Sequence, residues 1–398
     1  MAALNEMSPE YKNTFIRYTN LLDKIGLGLF DESIKLFKSQ NVKLLVFIGT
    51  FLPFVCIQFS LMTKLNEDNF LEVAQVVPLL VMFLVDILKI MIIITNRQEI
   101  RALFVEIGRL WPSEAQRTLQ TNKKNILVFF TYAATNLFMY ELIPMGTTVV
   151  TALFGEETYF LPFQVPEFWP LNSMLAFFIT WLIELISVPC QLCLYLPTDL
   201  VIVIFCSNLS ILYSLVQYDL ENAIQRWDKE DNTKRQLYLS DVESYNRVKM
   251  AVTTHQHLLR ITNKLSDIFG SLLLAHIACS SIVICFFGFL AVAYGTIVDK
   301  ISYCITVLNG IFMIFILAIA GQLLYDTSSH VSESAYQSLW YESDGKVRKL
   351  MLFIITRAQS PGYLSALGYS DMTLRTFSKI MSSAWTYFNL LIQVFEDN

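Results

Sequence analysis

Residues 268–292 read IFGSLLLAHIACSSIVICFFGFLAV, a stretch of 25 residues that contains no Asp, Glu, Lys or Arg. About 20 mainly apolar residues in a helix are enough to cross the hydrocarbon core of a bilayer. A second run of this kind, Ile301–Leu324, follows after eight residues. The two runs therefore predict membrane-spanning helices joined by a short turn.

The composition of the whole chain supports a membrane protein. Hydrophobic residues make up 54% of the 398 residues and charged residues 16%, below the roughly 25% charge of soluble domains. A soluble fold of this size would leave large apolar patches in water, so membrane lipid is the expected solvent. The net charge of −5 and the absence of a basic run argue against nucleic-acid binding.

Seven apolar segments are long enough to span a bilayer. We therefore predict an all-α membrane protein with seven transmembrane helices. The segments are Leu44–Met62, Val73–Ile94, Ile126–Leu153, a long fourth span from Ser173 towards Tyr213, Ile268–Val292, Ile301–Leu324 and Met372–Phe395.

The Lys and Arg residues alternate between the segments that separate these spans. From the N-terminus to the last span, successive segments carry six, one, six, none, eight, one and four of them. Because positive charge accumulates on the cytoplasmic side, the N-terminus is predicted to be cytoplasmic and the C-terminus extracellular. G-protein-coupled receptors have the reverse orientation.

The segments on the cytoplasmic side have helical patterns of their own and predict a cytoplasmic helical anchor layer. Residues 100–111 carry an apolar stripe, Val347–Ala358 is amphipathic, and Asp371 is placed to cap the last helix. Leu200–Ser266 is helical in pattern apart from a polar loop at Asp228–Arg235. The predicted units are a cytoplasmic segment 1–43, spans one to six in 44–324, an anchor segment 325–371 and the last helix with the extracellular C-terminus, 372–398.

Several ionisable residues fall inside the predicted spans, where charge is costly and often functional. Asp86 and Lys89 are three residues apart on span two and can pair. Glu141 and Glu184 can line a wet cavity or simply bond a neighbouring helix. Asp199 is interpreted as the point where span four leaves the membrane.

Aromatic and apolar side chains crowd the predicted outer ends of spans two, three and four. Such a lining suits an apolar ligand with few polar groups, although packing against lipid or helices is the alternative for each residue. The predicted ligand-binding residues are Phe138, Tyr140, Ile143, Phe177, Phe178, Trp181, Val77 and Leu80. We find no nucleophile elbow, P-loop or dinucleotide fingerprint, so no enzyme activity, metal or cofactor is predicted.

The last predicted helix has a short uninterrupted apolar part and several polar side chains, which fits a helix that faces protein and water. Its sequence Tyr387-Phe388-Asn389-Leu390-Leu391-Ile392-Gln393 resembles the Tyr-Phe-x-x-Leu-x-Gln signature at the end of insect odorant receptors. Ser338-Leu339-Trp340-Tyr341-Glu342 and Arg357-Ala358-Gln359-Ser360-Pro361 resemble the region before that helix. Residues 374–380 and Ala384-Trp385 are most similar to the moth pheromone-receptor group.

This resemblance implies a subunit of a tetrameric, ligand-gated, non-selective cation channel in the plasma membrane of olfactory sensory neurons. It implies that the last helix lines the pore, with Leu390 at the apolar constriction and Gln393 and Val394 just outside it. It also implies a volatile ligand, here a fatty-chain pheromone, and a heterotetramer with a shared co-receptor. The co-receptor has Val at the constriction and a long insertion before span five, and this chain has neither. A G-protein-coupled type of receptor and a membrane transporter are the alternative functions.

Overall fold

The computed structural model of the chain describes residues 70–111, 131, 145–148, 151, 174–224 and 234–396. Helices dominate this part of the chain, together with one 3-10 turn at Trp340–Glu342 and one short hairpin. The helices are α1 (Phe70–Thr95), α2 (Arg97–Leu110), α3 (Met174–Glu221), α4 (Lys234–Ala293), α5 (Ile297–Gln337), α6 (Gly345–Ala358) and α7 (Leu374–Glu396). Strands β1 (Ser365–Ala366) and β2 (Ser370–Asp371) pair in antiparallel fashion.

Three helices are much longer than a bilayer is thick. Helices α3, α4 and α5 contain 48, 60 and 41 residues, which at 1.5 Å per residue gives lengths of about 72, 90 and 60 Å. The hydrocarbon core is only about 30 Å thick. These helices therefore continue well past the membrane, as the helical pattern of the polar segments predicts.

Within the described residues, four helices are long and apolar enough to cross a membrane. They include the segments Val76–Thr95, Thr198–Glu221, Val242–Ala293 and Ile297–Gln337. The first predicted span, Leu44–Met62, lies outside the described residues, as does most of Ile126–Leu153. The chain therefore spans the membrane, and the predicted total of seven spans stays a prediction.

The turn between α4 and α5 marks one end of the helix bundle, which we call the turn end. Gly295 has a φ of 83° there, a conformation that glycine adopts without a steric penalty. Thr296 then caps α5, because its backbone N–H donates to Asp299 Oδ2 at 2.8 Å and its hydroxyl accepts from the Asp299 N–H. Helices α1, α3 and α5 run away from the turn end, while α4 and α7 run towards it.

The main hydrophobic core surrounds α3. The side chains of residues 200–206 on this helix are all at most 4% exposed, and α3 packs against α1, α4 and α5. Phe205 also meets Phe104 of α2, with ring centroids 4.2 Å apart. Ile100, Leu103 and Ile107 are buried on the same face of α2, which confirms the apolar stripe predicted there.

Two local predictions are wrong in detail. Helix α4 already begins at Lys234, so the loop predicted over Asp228–Arg235 ends sooner, and its other residues lie outside the described part. Asp371 does not cap the last helix, because it pairs with Ser365 in the hairpin and α7 begins only at Leu374. The predicted helix over Val347–Ala358 is confirmed as α6.

Candidate functional site

Helix α7 buries one narrow stripe, which half-buried residues flank, and leaves its other face exposed. Thr376, Ile380 and Ala384 are buried at intervals of four residues and face α4 and α5. On the other side, Leu390 is 56% exposed and Val394 is 47% exposed. An amphipathic helix normally covers its apolar residues against a core, whereas this face stays largely exposed among the residues that the structure describes.

The uncovered face mixes apolar and polar side chains. Leu390 and Gln393 are three residues apart and therefore lie on the same side of the helix, and both are exposed. Below them the exposed stripe continues towards the start of α7 through Arg375, Lys379, Ser382, Ser383, Thr386 and Asn389. All three predicted pore residues, Leu390, Gln393 and Val394, are thus exposed among the described residues.

Aromatic contacts fix the orientation of this helix. Near the turn end, Phe395 of α7 makes an edge contact with Phe289 of α4, with centroids 5.5 Å apart. Phe388 lies against Gly288, where a Cβ would be 3.5 Å from its ring. At the other end, Phe377 meets Phe315 of α5 at 5.2 Å. Because aromatic pairs at these separations stabilise packing, rotation of α7 about its axis is restrained along its whole length.

The predicted pocket residues are only partly described. Phe138, Tyr140 and Ile143 lie outside the described residues.

On α3, Phe178 and Trp181 lie together, with ring centroids 5.8 Å apart. Phe178 is 48% exposed and its neighbour Phe177 is only 2% exposed, so these two rings lie on different faces of α3. On α1, Val77 and Leu80 are half-buried. Their role as a ligand pocket stays a prediction.

A cluster of charged and polar side chains is buried where α1, α3 and α4 meet. Lys89 Nζ lies 2.9 Å from Asp199 Oδ2, and both side chains are fully buried. His276 Nε2 lies 3.1 Å from the other oxygen of Asp199. Since an ionised carboxylate can only accept hydrogen bonds, the imidazole donates from Nε2. One carboxylate thus ties a lysine of α1 and a histidine of α4 to α3.

Sequence reasoning missed this buried cluster. The structure gives Lys89 a partner on another helix in addition to the predicted neighbour Asp86, which is itself buried. Asp199 was predicted to mark the point where span four leaves the membrane, but it lies at the start of the apolar candidate span Thr198–Glu221. The distance of each residue from the end of its helix could have indicated this cluster. Lys89, Asp199 and His276 lie 19, 25 and 17 residues from the ends of their helices that are nearest the turn end of the bundle. Ionisable residues at comparable depths in three spans are candidates for a shared contact.

Other buried charges do not form a metal site. In the part of the chain that the structure describes, no group of three or more His, Cys, Asp and Glu side chains is arranged to hold a metal ion. Glu184 is 3% exposed on α3, and Glu141 lies outside the described residues. At the end opposite the turn, Glu106 of α2 binds His257 of α4 at 2.6 Å, which attaches α2 to the long helix.

The fold of the chain matches solved structures of insect olfactory receptors. The receptor OR5 from Machilis hrabei in complex with eugenol superposes with a TM-score of 0.77 and 15% identity, over 96% of this chain and 97% of that chain. The same receptor in a structure described without eugenol also gives a TM-score of 0.77. The TM-score shows that the two proteins share a fold, and at this low sequence identity the comparison shows the fold alone.

Sequence comparison gives the family. Odorant receptor 85c from Drosophila melanogaster is 33% identical over 141 residues, which are 35% of this chain and 36% of that protein. Odorant receptor 67a from the same organism is 21% identical over 81% of each chain. The alignments with the most similar relatives cover about a third to under half of their length. A family model described as 7tm odorant receptor matches residues 69–385, most of the chain. The chain therefore belongs to the family of insect odorant receptors, which are membrane-spanning proteins of olfaction.

Proposed function

We propose that the chain is the ligand-binding subunit of an odorant-gated, non-selective cation channel. The observation that supports this most is the uncovered face of α7, which carries Leu390, Gln393 and Val394. Hydrocarbon offers no hydrogen-bond partner to the exposed amides of Asn389 and Gln393. Water in a central pore, bounded by the same helix of neighbouring subunits, satisfies them.

Each of the proposed pore residues has a distinct task. A ring of Leu390 side chains closes a narrow pore by excluding water, while a ring of Gln393 amides offers dipoles to a passing cation without trapping it. Val394 continues the lining towards the C-terminus. In this proposal residues 372–398 are the pore helix and its extracellular end, 325–371 the cytoplasmic anchor, 44–324 the remaining spans and 1–43 a cytoplasmic segment.

The partner subunit in this proposal is the shared co-receptor of the family, in a heterotetramer. Support comes from two differences from the co-receptor: this chain has Leu390 where the co-receptor has Val at the constriction, and it lacks the long insertion before span five. The uncovered face of α7 provides a surface for neighbouring subunits. The complex acts in the plasma membrane of olfactory sensory neurons, with the N-terminus cytoplasmic.

The proposed ligand is a long apolar volatile with one polar end group, of the fatty-chain pheromone class. Support comes from the similarity of residues 374–380 to moth pheromone receptors and from the aromatic residues of α3. The Machilis receptor of the same fold is described with eugenol, a small volatile molecule. Ligand binding opens the pore only through a higher affinity for the open arrangement than for the closed one.

Replacement of the constriction residue tests the proposal. In oocytes that express the chain with a co-receptor, Leu390→Ser should wet the constriction and raise the cation current without ligand. The matched control is Leu352→Ser, because Leu352 is similarly exposed, at 50%, but lies on α6. Currents are divided by the amount of surface-labelled protein.

Three outcomes would contradict the channel proposal. If Leu390→Ser and Leu352→Ser channels carry the same ligand-independent current at equal surface level, Leu390 is not at the constriction. A panel of straight-chain alcohols, aldehydes and acetates is also tested for uptake. If these compounds are taken up in a saturable way and no unitary conductance is seen, the chain is a transporter. If the current disappears when G proteins are inhibited, the chain is a G-protein-coupled type of receptor.

A further inference from the structure

The segment between α6 and α7, Pro361–Thr373, is a compact hairpin that we call the linker segment. Strands β1 and β2 close around Leu367 and Gly368, whose φ angles are 52° and 78°. The Met372 N–H donates to the Leu364 carbonyl at 2.9 Å, which closes the base of the hairpin. The linker segment is thus a small folded unit placed directly before α7.

Helices α4 and α5 hold the linker segment by side-chain contacts to its backbone. The hydroxyl of Ser266 on α4 donates to the Tyr363 carbonyl at 2.9 Å and accepts from the Ser365 N–H at 3.2 Å. Ser328 on α5 accepts from the Gly362 N–H at 2.8 Å. Both serines belong to helices of the main bundle, so displacement of α4 or α5 displaces the linker segment with it.

The closest approach is between α5 and the base of α7. A Cβ built on Gly321 would overlap the carbonyl oxygen of Met372, so the two backbones touch at this point. Met372 itself is 1% exposed. Only glycine permits this approach, and any larger residue at 321 forces the linker segment away from α5.

The next residue of α5 binds the first residue of α7. Gln322 Oε1 accepts a hydrogen bond from the Leu374 N–H at 3.3 Å. Its Nε2 donates to Asp326 Oδ1 at 2.8 Å, which orients the amide. The first N–H groups of a helix have no partner within the helix. Gln322 therefore supplies from another helix the acceptor that Asp371 was predicted to supply locally.

At its other end α5 shares an apolar cluster with Leu79 of α1, which lies between the predicted pocket residues Val77 and Leu80 in sequence. Tyr303 of α5 stacks on Phe287 of α4 with centroids 6.1 Å apart. These rings belong to a second apolar cluster that also includes residues of α1 and α7. One continuous helix therefore joins this cluster to the base of the last helix.

We propose that Gly321 and Gln322 are positioning residues that couple movement of α5 to the base of the pore helix. The proposal rests on the channel function proposed above. Because helices move as units, a shift or rotation of α5 caused by ligand changes the Gln322–Leu374 hydrogen bond and the Gly321–Met372 contact together. The strength of these contacts then sets the equilibrium between the arrangements of α7, and with it the fraction of open channels.

Substitutions at Gln322 test the coupling with opposite signs. Gln322→Met removes the acceptor. Gln322→Glu, made together with Asp326→Asn so that the carboxylate at 322 does not face a second carboxylate, replaces it with a charged acceptor, which binds a helix N-terminus more strongly than an amide does. The two changes should move the ligand-independent cation current per surface channel in opposite directions, each by about threefold to tenfold. The matched control is Gln337→Met, because Gln337 makes the same type of bond within α5, to Glu333, and is exposed.

The measurement uses oocytes that express each variant with the co-receptor, and surface biotinylation normalises the currents. Shifts of the ligand-independent current in opposite directions support the proposal. If Gln322→Met fails to reach the surface, a shifted current in Gln322→Glu channels is sufficient support. Shifts in the same direction, or currents equal to those of Gln337→Met, overturn it. Loss of both Gln322 variants from the surface, with normal Gln337→Met, also overturns it, since the contact is then needed only for folding.

A conductance measurement of Gln393→Arg in the same cells separates this inference from the channel proposal. If Gln393→Arg lowers conductance while both Gln322 variants behave as the control, only the coupling role is lost. If Gln393→Arg also has no effect, the channel proposal itself fails.

Discussion

Removal of the Asp199 charge should destabilise the receptor strongly. Asp199→Asn keeps the size and the hydrogen-bonding oxygen of the side chain but removes the negative charge that faces Lys89 at 2.9 Å. Both side chains of this pair are fully buried. Loss of one partner from a buried ion pair costs about 3–5 kcal/mol. We expect the lower end, about 3 kcal/mol, because the carboxylate of Asp86 lies one turn from Lys89 on α1.

Removal of both charges should cost less than removal of either one. Lys89→Met with Asp199→Leu removes both members of this pair, and buried ion pairs replaced by apolar residues are often neutral in stability. Part of the cost remains, because the buried Asp86 loses its neighbour Lys89. A double-mutant cycle should therefore give a coupling free energy of about 2–3 kcal/mol between the two positions.

Thermal loss of monodisperse receptor in detergent, followed by fluorescence-detected size exclusion, measures this effect. At about 2 °C per kcal/mol, Asp199→Asn should lower the midpoint by roughly 6 °C. The matched control is Glu243→Gln, which breaks an exposed ion pair with Arg247 and should cost less than about 1 kcal/mol. The reasoning is refuted if Asp199→Asn lowers the midpoint no more than Glu243→Gln does.

Three further predictions follow from the topology, the pocket and the helix contacts. Cysteines introduced at 155–172 should react with impermeant thiol reagents from outside the cell and those at 228–235 should not; the opposite labelling reverses the topology. Trp181→Ala should shift dose–response curves for straight-chain volatiles to higher concentration, by about tenfold for each 1.4 kcal/mol of lost contact, and an unshifted curve at equal surface level removes Trp181 from the pocket. Gly321→Ala should lower the midpoint of thermal unfolding in detergent. Gly310→Ala, where a Cβ would lie 3.5 Å from Ile284, should leave this midpoint equal or higher because alanine favours helix. Equal midpoints for the two variants contradict the close contact at Gly321.

Several features of the fold are predictable from the sequence because they depend on local composition. Apolar length identifies the helices that contain Ile268–Val292 and Ile301–Leu324, and helical spacing identifies α2 and α6. The polar residues of α7 similarly predict a helix that lipid does not surround, which stays a prediction.

Contacts between distant parts of the chain are not predictable in the same way. Lys89 and Asp199 are 110 residues apart, and spacing within one helix pointed only to Asp86. The binding of Leu374 by Gln322 depends on how α5 crosses the linker segment, which no local pattern encodes. Asp is a residue type that often caps a helix N-terminus, but Asp371 instead pairs with Ser365 in the hairpin.

The central claim is that α7 lines a cation pathway, and the conductance of Gln393→Arg channels tests it most directly. Gln393 is exposed on the same face as Leu390, so arginine at this position places fixed positive charge in the proposed path of the cation. Gln359→Arg, at an exposed position after α6, controls for added surface charge. Single-channel recordings with the co-receptor should show lower cation conductance for Gln393→Arg, as a partial effect because the co-receptor contributes its own pore helices, and no change for Gln359→Arg. Normal conductance and ion selectivity in well-expressed Gln393→Arg channels would contradict the pore role of this helix.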